Sequence, residues 1–186
     1  GDAGIVSEIR RLTLAGNQVS SDQAFVIGTS TNFRGGVTDM HLLPNGDLLF
    51  SVTTDLDPTG PLGGESVGIL RTNGTVSPVA VQGLPLSSND EAFGIWANPA
   101  GTTGYVSVVD RGLYSFPLGT ASAPASLVFG YPRAFGLVGR DLVSDGDGNL
   151  IAQSCGSVVS IDPATGMAQV VLTRTTGAIG FEPVTG

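Results

Sequence analysis

The chain has 186 residues, including 28 glycines and 11 prolines, and its 16 acidic and 8 basic side chains give a formal net charge of −8. This acidic balance excludes nucleic acids and anionic membrane surfaces as favourable partners, because both would repel the chain. Turn-forming residues recur too often for a long helix, and no stretch approaches the roughly 18 to 20 apolar residues of a membrane span. We therefore expect a single all-β domain over residues 1–186.

The first predicted element is a β-hairpin near the N-terminus. Its first strand covers residues 9–14, a turn follows at 15–18, and a second apolar strand comes after the turn. Ile5, Ile9 and Leu12 also fit a short amphipathic helix, because they recur at helical spacing. The turn residues that follow favour the hairpin.

Three later segments repeat an apolar strand, a tight turn and a second apolar strand. Their turn glycines, Gly46, Gly101 and Gly148, are 55 and 47 residues apart, which is near the blade period of propeller repeats. In the unit that contains Gly46, Asn73-Gly74 predicts a two-residue type I′ turn. The strands predicted for the three units are 39–43, 47–52, 67–71 and 75–81, then 94–97, 104–109, 112–116 and 126–129, then 141–144, 149–154, 157–162 and 168–172.

These units predict a β-propeller or partial propeller of about four antiparallel, blade-like repeats. The predicted repeats are 5–36, 37–90, 91–137 and 138–176, with 177–186 opening a further blade. The small-residue stretch 119–124 is predicted as a plain connector. Two arrangements stay open: a four-bladed ring with an incomplete blade, or part of a larger propeller completed by other residues or another subunit.

The turn motifs carry a family resemblance. Asp145, Asp147, Gly148, Asn149 and Leu150 match half of a blade pattern, and 44–48 is a weaker copy. Over residues 37–172 the chain thus resembles the propeller repeats of the gluconolactonase-like (sugar-lactone lactonase) and NHL families. The resemblance implies a propeller whose lactonase members hold a divalent metal at the axis with acidic and amide side chains on inner strands.

Two positions depart from that pattern. In the same register, Thr38 and Arg140 stand where the pattern has its first aspartate. Asp39 and Asp141 come one residue later, and a one-residue shift turns a strand side chain to the opposite face. The metal-ligand positions of the lactonases are therefore not matched.

Propeller geometry places a binding site where the inner strands begin, an end of the fold that we call the mouth. We predict that the following polar residues line it, although they also fit ordinary solvated loops: Asp39, Asn89, Asp90, Glu91, Arg140 and Asp141.

Other chemistry-bearing residues are expected to be structural. His41 is the only histidine and lies within a predicted inner strand, and Trp96 is expected to pack between blades. Asp145 to Asn149 imitates a calcium loop, but the twelfth loop position is Gly156, which has no carboxylate. A tight turn is the preferred interpretation.

Two functions are consistent with this sequence. The main hypothesis is a non-catalytic, exported propeller that binds a protein partner or self-associates, because a mean hydropathy of +0.26 is high for a free domain. The alternative is a metal-dependent, lactonase-like hydrolase with its site at the mouth. We predict no cofactor, with a divalent cation such as calcium left open, and secretion or display on a bacterial cell surface.

Overall fold

The structure, a computed structural model, describes residues 5–30, 36–53, 62, 65–86, 91–120, 122–130, 138–154 and 157–173. Every regular element among these residues is a β-strand. The described part of the chain contains no helix long and apolar enough to cross a membrane. The all-β prediction is therefore confirmed for these residues.

The N-terminal hairpin forms as predicted. β1 (Ile5–Ala15) pairs antiparallel with β2 (Gln18–Ser30) along its whole length, so the helical alternative for this segment is wrong. Ile9 and Phe25 are each 7% exposed and pack against apolar residues of the first blade. The Arg11 guanidinium lies 5.3 Å from the centre of the Phe25 ring and extends this contact.

Three antiparallel four-stranded sheets follow the hairpin, and each is a propeller blade. The first blade comprises β3 (Val37–Leu42), β4 (Leu48–Val52), β5 (Val67–Leu70) and β6 (Val76–Pro78). After a short strand, β7 (Val81–Gln82), the second comprises β8 (Ala92–Ala97), β9 (Thr103–Val108), β10 (Gly112–Pro117) and β12 (Ser126–Gly130). The third comprises β13 (Val138–Ser144), β14 (Leu150–Ser154), β15 (Ser157–Ile161) and β16 (Ala168–Thr173).

The connector predicted at 119–124 contains a strand. β11 (Ala123–Pro124) pairs in parallel with β7, and this pair links the first blade to the second. A two-residue strand has no periodicity of its own, and its partner lies some forty residues earlier in the chain. Local sequence patterns therefore could not show it.

The repeated turns share one geometry. Gly46, Gly101 and Gly148 all have positive φ, of 84°, 66° and 91°. In each turn the glycine N–H donates to the backbone oxygen of the residue three positions earlier, namely Leu43, Asn98 and Asp145. A type I turn followed by a left-handed glycine explains why glycine recurs at this position.

The type I′ turn predicted at Asn73-Gly74 is wrong. Gly74 has a φ of 90°, but Asn73 is not among the described residues with positive φ. The Gly74 N–H donates to the Arg71 oxygen at 2.9 Å, so this turn repeats the geometry of the other three. The two central residues of a type I turn have negative φ, and only the residue that follows them is left-handed, which is Gly74 here.

The blades pack face to face around their inner strands, β3, β8 and β13. The core between the first and second blades includes Leu49, Ile69, Ile95, Val106 and Phe116. The core between the second and third blades includes Trp96, Leu113, Leu142, Leu150 and Ile161. The second blade is thus covered on both faces, as in a propeller, and the described residues form a partial β-propeller.

Candidate functional site at the mouth

All three inner strands are irregular near the mouth. The pairing register shifts between Val37 and Asp39 in β3, between Ala92 and Ile95 in β8, and between 138 and 142 in β13. Such irregularities re-aim the side chains that follow them and are common next to binding sites. Strict alternation of side chains therefore does not hold at this end of the blades.

Equivalent positions of the three inner strands carry the candidate residues. Asp39, Gly94 and Asp141 each lie seven residues before the turn glycine of their blade. Asp39 and Asp141 are both half-buried, and they lie close enough that Asp141 raises the pKa of Asp39. The structure thus brings together two carboxylates that are far apart in the sequence.

The Asp39 carboxylate accepts hydrogen bonds from the backbone of two strands. Its Oδ1 accepts the Met40 N–H at 2.8 Å on β3, and its Oδ2 accepts the Ile95 N–H at 2.8 Å on β8. Burial raises the pKa of Asp39 above its ordinary value, Asp141 adds to the rise, and the Ile95 and Met40 amides oppose it.

A pair of hydroxyls lies beside Asp39 and joins the first two blades. The Thr38 hydroxyl donates to the Ala92 oxygen at 2.9 Å and lies 2.9 Å from Oγ of Ser51. Ser51 is fully buried, and its hydroxyl donates to the Phe93 oxygen. Ser51 was not among the predicted site residues, although a single hydroxyl within the apolar strand 48–52 was a usable signal.

An aromatic row continues from the mouth into the space between the blades. The rings of His41 and Trp96 are 5.6 Å apart, and so are those of Trp96 and Tyr105. Burial lowers the pKa of His41, which favours a neutral imidazole. Trp96 is only 8% exposed, which agrees with the expectation of packing between blades.

The described donor set does not fit a resident metal. No group of three or more histidine, cysteine, aspartate or glutamate side chains that could hold an ion occurs within the described ranges. Thr38 donates to a backbone oxygen, and both oxygens of Asp39 already accept amides. Zinc and calcium sites in proteins require about four to eight ligands, which is more than Asp39 and Asp141 supply.

The calcium-like segment is a turn, as expected. Oδ1 of Asp145 accepts the N–H groups of Asp147 and Asn149, each at 2.9 Å, and its Oδ2 accepts the Asn149 side-chain amide at 2.8 Å. These hydrogen bonds lower the pKa of Asp145. The carboxylate therefore stabilises the turn itself.

The other predicted site residues are placed less completely. Glu91 is half-buried just before β8, and its backbone oxygen accepts the Val109 N–H at 3.0 Å. Arg140 lies in β13, but its side chain is outside the described part of the structure, and Asn89 and Asp90 are outside the described residues altogether. For these positions a role at the mouth stays a prediction.

Comparison with known proteins finds likeness in solved structures. No family model matches the chain, and no curated protein matches it. A luciferin-regenerating enzyme superposes with a TM-score of 0.59 at 18% identity, over 91% of this chain and 57% of that one. A gluconolactonase from Xanthomonas campestris superposes with a TM-score of 0.55 at 18% identity, over 74% of this chain and 47% of that one.

These likenesses show the fold. The chain spans about half the length of each solved structure. The gluconolactonase has the fold that the lactonase part of the resemblance implied, and the family itself stays a prediction, as does the NHL part.

Proposed function

We propose that this chain is a hydrolase of the lactonase type, with its site at the mouth. The observation that carries the proposal is the convergence of Asp39 and Asp141 from two different blades. Both solved structures above are named as enzymes, and one is a gluconolactonase. They support the hydrolase hypothesis over a non-catalytic module.

The proposed reaction opens a small cyclic ester. Water attacks the carbonyl carbon and loses a proton, the ring C–O bond breaks, and the released ring oxygen takes up a proton, so that the product is a hydroxy acid. A carboxylate at the mouth accepts the proton that the attacking water loses. We assign this role to Asp141, because both oxygens of Asp39 already accept backbone amides. No step is routed through a metal, because the described donor set does not fit one.

The test measures hydrolysis of a panel of five- and six-membered lactones, including gluconolactone. The acid released at constant pH gives the rate. The substitution D141N is expected to lower kcat/KM by about a hundredfold or more, since a carboxamide cannot accept the proton. D162N is the matched control. Asp162 follows β15 at the end of the blade away from the mouth, and an asparagine oxygen can still accept the Ala164 N–H.

Two results would overturn the proposal. One is the absence of turnover above the uncatalysed rate for every lactone, with and without added calcium, zinc or manganese. The other is full activity of D141N. Activity that appears only with an added ion would contradict the metal-free assignment of Asp141.

A second candidate, the binding or assembly module, has its own observation. The outer strands expose apolar side chains, namely Leu127 on β12 and Val171 and Leu172 on β16, and Met167 beside β16 is 74% exposed. Exposed apolar surface of this kind marks interaction sites. Self-association in native mass spectrometry, without turnover of any lactone, would favour this candidate. Export to the bacterial cell surface stays a prediction under either function.

A further inference from the structure

Two β-bulges face each other across the first two blades, one in β3 and one in β8. Thr38 is the extra residue in β3, because its neighbours on either side pair with consecutive residues of β4. In β8, Phe93 and Gly94 lie opposite the single residue Ser107 of β9. A bulge disrupts the hydrogen-bond ladder locally and changes the direction of the side chains that follow. The groups that hold each bulge therefore decide how this end of the strand is built.

Two hydroxyls of the first blade bind the carbonyl groups of the β8 bulge. The Thr38 hydroxyl donates to the Ala92 oxygen at 2.9 Å, and the Ser51 hydroxyl donates to the Phe93 oxygen. The two hydroxyl oxygens lie 2.9 Å apart, so they act at one point of contact. Ala92 and Ser51 are fully buried, and a buried polar group without a partner destabilises the fold. These hydroxyls therefore stabilise the bulged conformation of β8.

The other end of the same bulge is attached to Asp39. The Ile95 N–H donates to Oδ2 of Asp39 at 2.8 Å, and Asp39 directly follows Thr38 in β3. Two consecutive residues of β3 thus bind the start and the end of the β8 bulge. The direction of the Ile95 N–H depends on the conformation of that bulge, which Thr38 and Ser51 hold.

We propose that Thr38 and Ser51 are positioning residues, whose hydroxyls hold the β8 bulge so that the Ile95 N–H binds the Asp39 carboxylate and keeps it in place at the mouth. The catalytic consequence rests on the proposed function, because Asp39 is one of the two carboxylates of that site. The structural part does not, since these hydrogen bonds exist with or without turnover. The two parts are therefore tested separately.

NMR of a matched pair of variants tests the structural part. Valine has nearly the shape of threonine without the hydroxyl, whereas serine keeps the hydroxyl and loses only the methyl group. In T38V we expect the Ile95 amide to exchange with solvent about tenfold faster than in the wild type. We also expect the pKa of Asp39 to rise, because the Ile95 amide favours the charged carboxylate. In T38S both quantities should stay close to their wild-type values.

The second hydroxyl gives an independent measure. S51A is expected to change the Ile95 exchange rate and the Asp39 titration in the same directions as T38V. Its matched control is S20A, because the Ser20 hydroxyl also donates to a backbone oxygen, that of Thr13 at 3.0 Å, but in the exposed N-terminal hairpin. S20A should leave both measurements unchanged.

Three results would overturn the structural part. One is wild-type exchange and titration in both T38V and S51A, and another is an equal change in T38S and T38V. The third needs no variant: over a pH series of the wild type, the Ile95 amide proton shift should follow the Asp39 carboxyl titration, and an Ile95 shift that does not follow it contradicts the proposal. If T38V folds poorly, S51A and the wild-type titration decide.

Kinetics test the catalytic part. For the lactone that the wild type hydrolyses fastest, T38V is expected to lower kcat about tenfold and to leave KM within about twofold, because a displaced carboxylate affects the reacting geometry more than binding. T38S should keep the wild-type kcat. Full kcat in T38V would overturn the catalytic part. If the wild type hydrolyses no lactone, the proposed function fails, while the NMR results still decide the structural part.

Discussion

Gly104 in β9 lies directly under the ring of Phe116 in the neighbouring strand β10. The two residues are cross-strand partners, and Phe116 is only 1% exposed. A methyl group on Gly104 would lie 2.6 Å from Cε2 of that ring. The same pairing recurs in the first blade, where Gly68 opposes Phe50. A glycine under a phenylalanine is therefore part of how these blades fill their cores.

We expect G104A to lower the free energy of unfolding by about 1 to 3 kcal/mol, because a buried ring cannot move aside without cost. The matched control is G146A, in an exposed turn with nothing within 4 Å of the added methyl. That change should stay within about 0.5 kcal/mol of the wild type or stabilise it slightly. Urea unfolding followed by circular dichroism measures both. Equal stability of G104A and G146A would contradict this prediction, because it would show that the core around Phe116 accommodates the added methyl group at little cost.

The mouth shows what could not be predicted at single residues. The lactonase pattern pointed to positions 38 and 140, and alternation of side chains predicted that Asp39 and Asp141 face the opposite side of their strands. The structure has a register shift beside each of these aspartates, and these shifts decide where they point. A register shift depends on hydrogen bonds with neighbouring strands and blades, such as the one from Thr38 to Ala92. A single sequence does not record those bonds.

The elements themselves were largely predictable. Strands predicted at 47–52 and 112–116 are Leu48–Val52 and Gly112–Pro117 in the structure. Apolar runs and left-handed glycines are local signals, and they place most strand ends within about two residues. The first strand of the hairpin, β6 and β13 each differ by three or four residues at one end. The pairing of β7 with β11 is not local, and it was missed for that reason.

The N-terminal hairpin is the element least attached to the rest of the fold. Within the described residues its backbone pairs only within itself, and it contacts the first blade through Ile9, Phe25 and Arg11. The ring of Phe25 covers Gly74, and Arg11 donates to the Thr72 oxygen at 3.2 Å. Few contacts hold the hairpin, so it can open without unfolding the blades.

We expect F25A to weaken hairpin docking by about 3 kcal/mol, which is roughly a hundredfold loss of amide protection in peptides from 8–26. Peptides from β8 to β10 should keep their protection. L14A, on the same hairpin but 64% exposed, is the control and should leave both regions unchanged. Hydrogen exchange with mass spectrometry distinguishes these results. Equal loss of protection in the blades would mean that hairpin and blades unfold as one unit.

Buried and hydrogen-bonded carboxylates at the turns stabilise the fold throughout the molecule. Asp47 is the most buried example, at 5% exposure. Its carboxylate accepts Arg71 Nη1, the Thr72 N–H and the Asn45 side-chain amide, each at 2.9 Å. Burial alone would raise the pKa of Asp47, but these partners outweigh it and lower the pKa. The bonds connect the β3–β4 turn to the β5–β6 turn.

The direction of these shifts sets how stability changes with pH. The pKa values of Asp22, Asp47, Asp145 and Asp162 are lowered. Each stabilises the fold above its unfolded value of 3.8, and that contribution is lost as the pH falls through the lower folded value. Asp39 has a raised pKa, so it favours the folded state at a pH below 3.8, and that contribution is lost as the pH rises through the higher folded value.

Because four of these groups favour the folded state at neutral pH and one opposes it, the free energy of unfolding should fall as the pH drops from about 4 to about 2.5. The single tryptophan, Trp96, lies buried between the second and third blades, so its fluorescence follows urea unfolding at each pH. D47N should lower the free energy of unfolding by about 1 to 3 kcal/mol at pH 7 and make it less dependent on pH in the acid range. R71Q should also reduce the pH dependence of the free energy of unfolding, because the same ion pair is lost. A wild-type curve that is level or rises toward pH 2.5 would contradict the assignment of acid sensitivity to these turns.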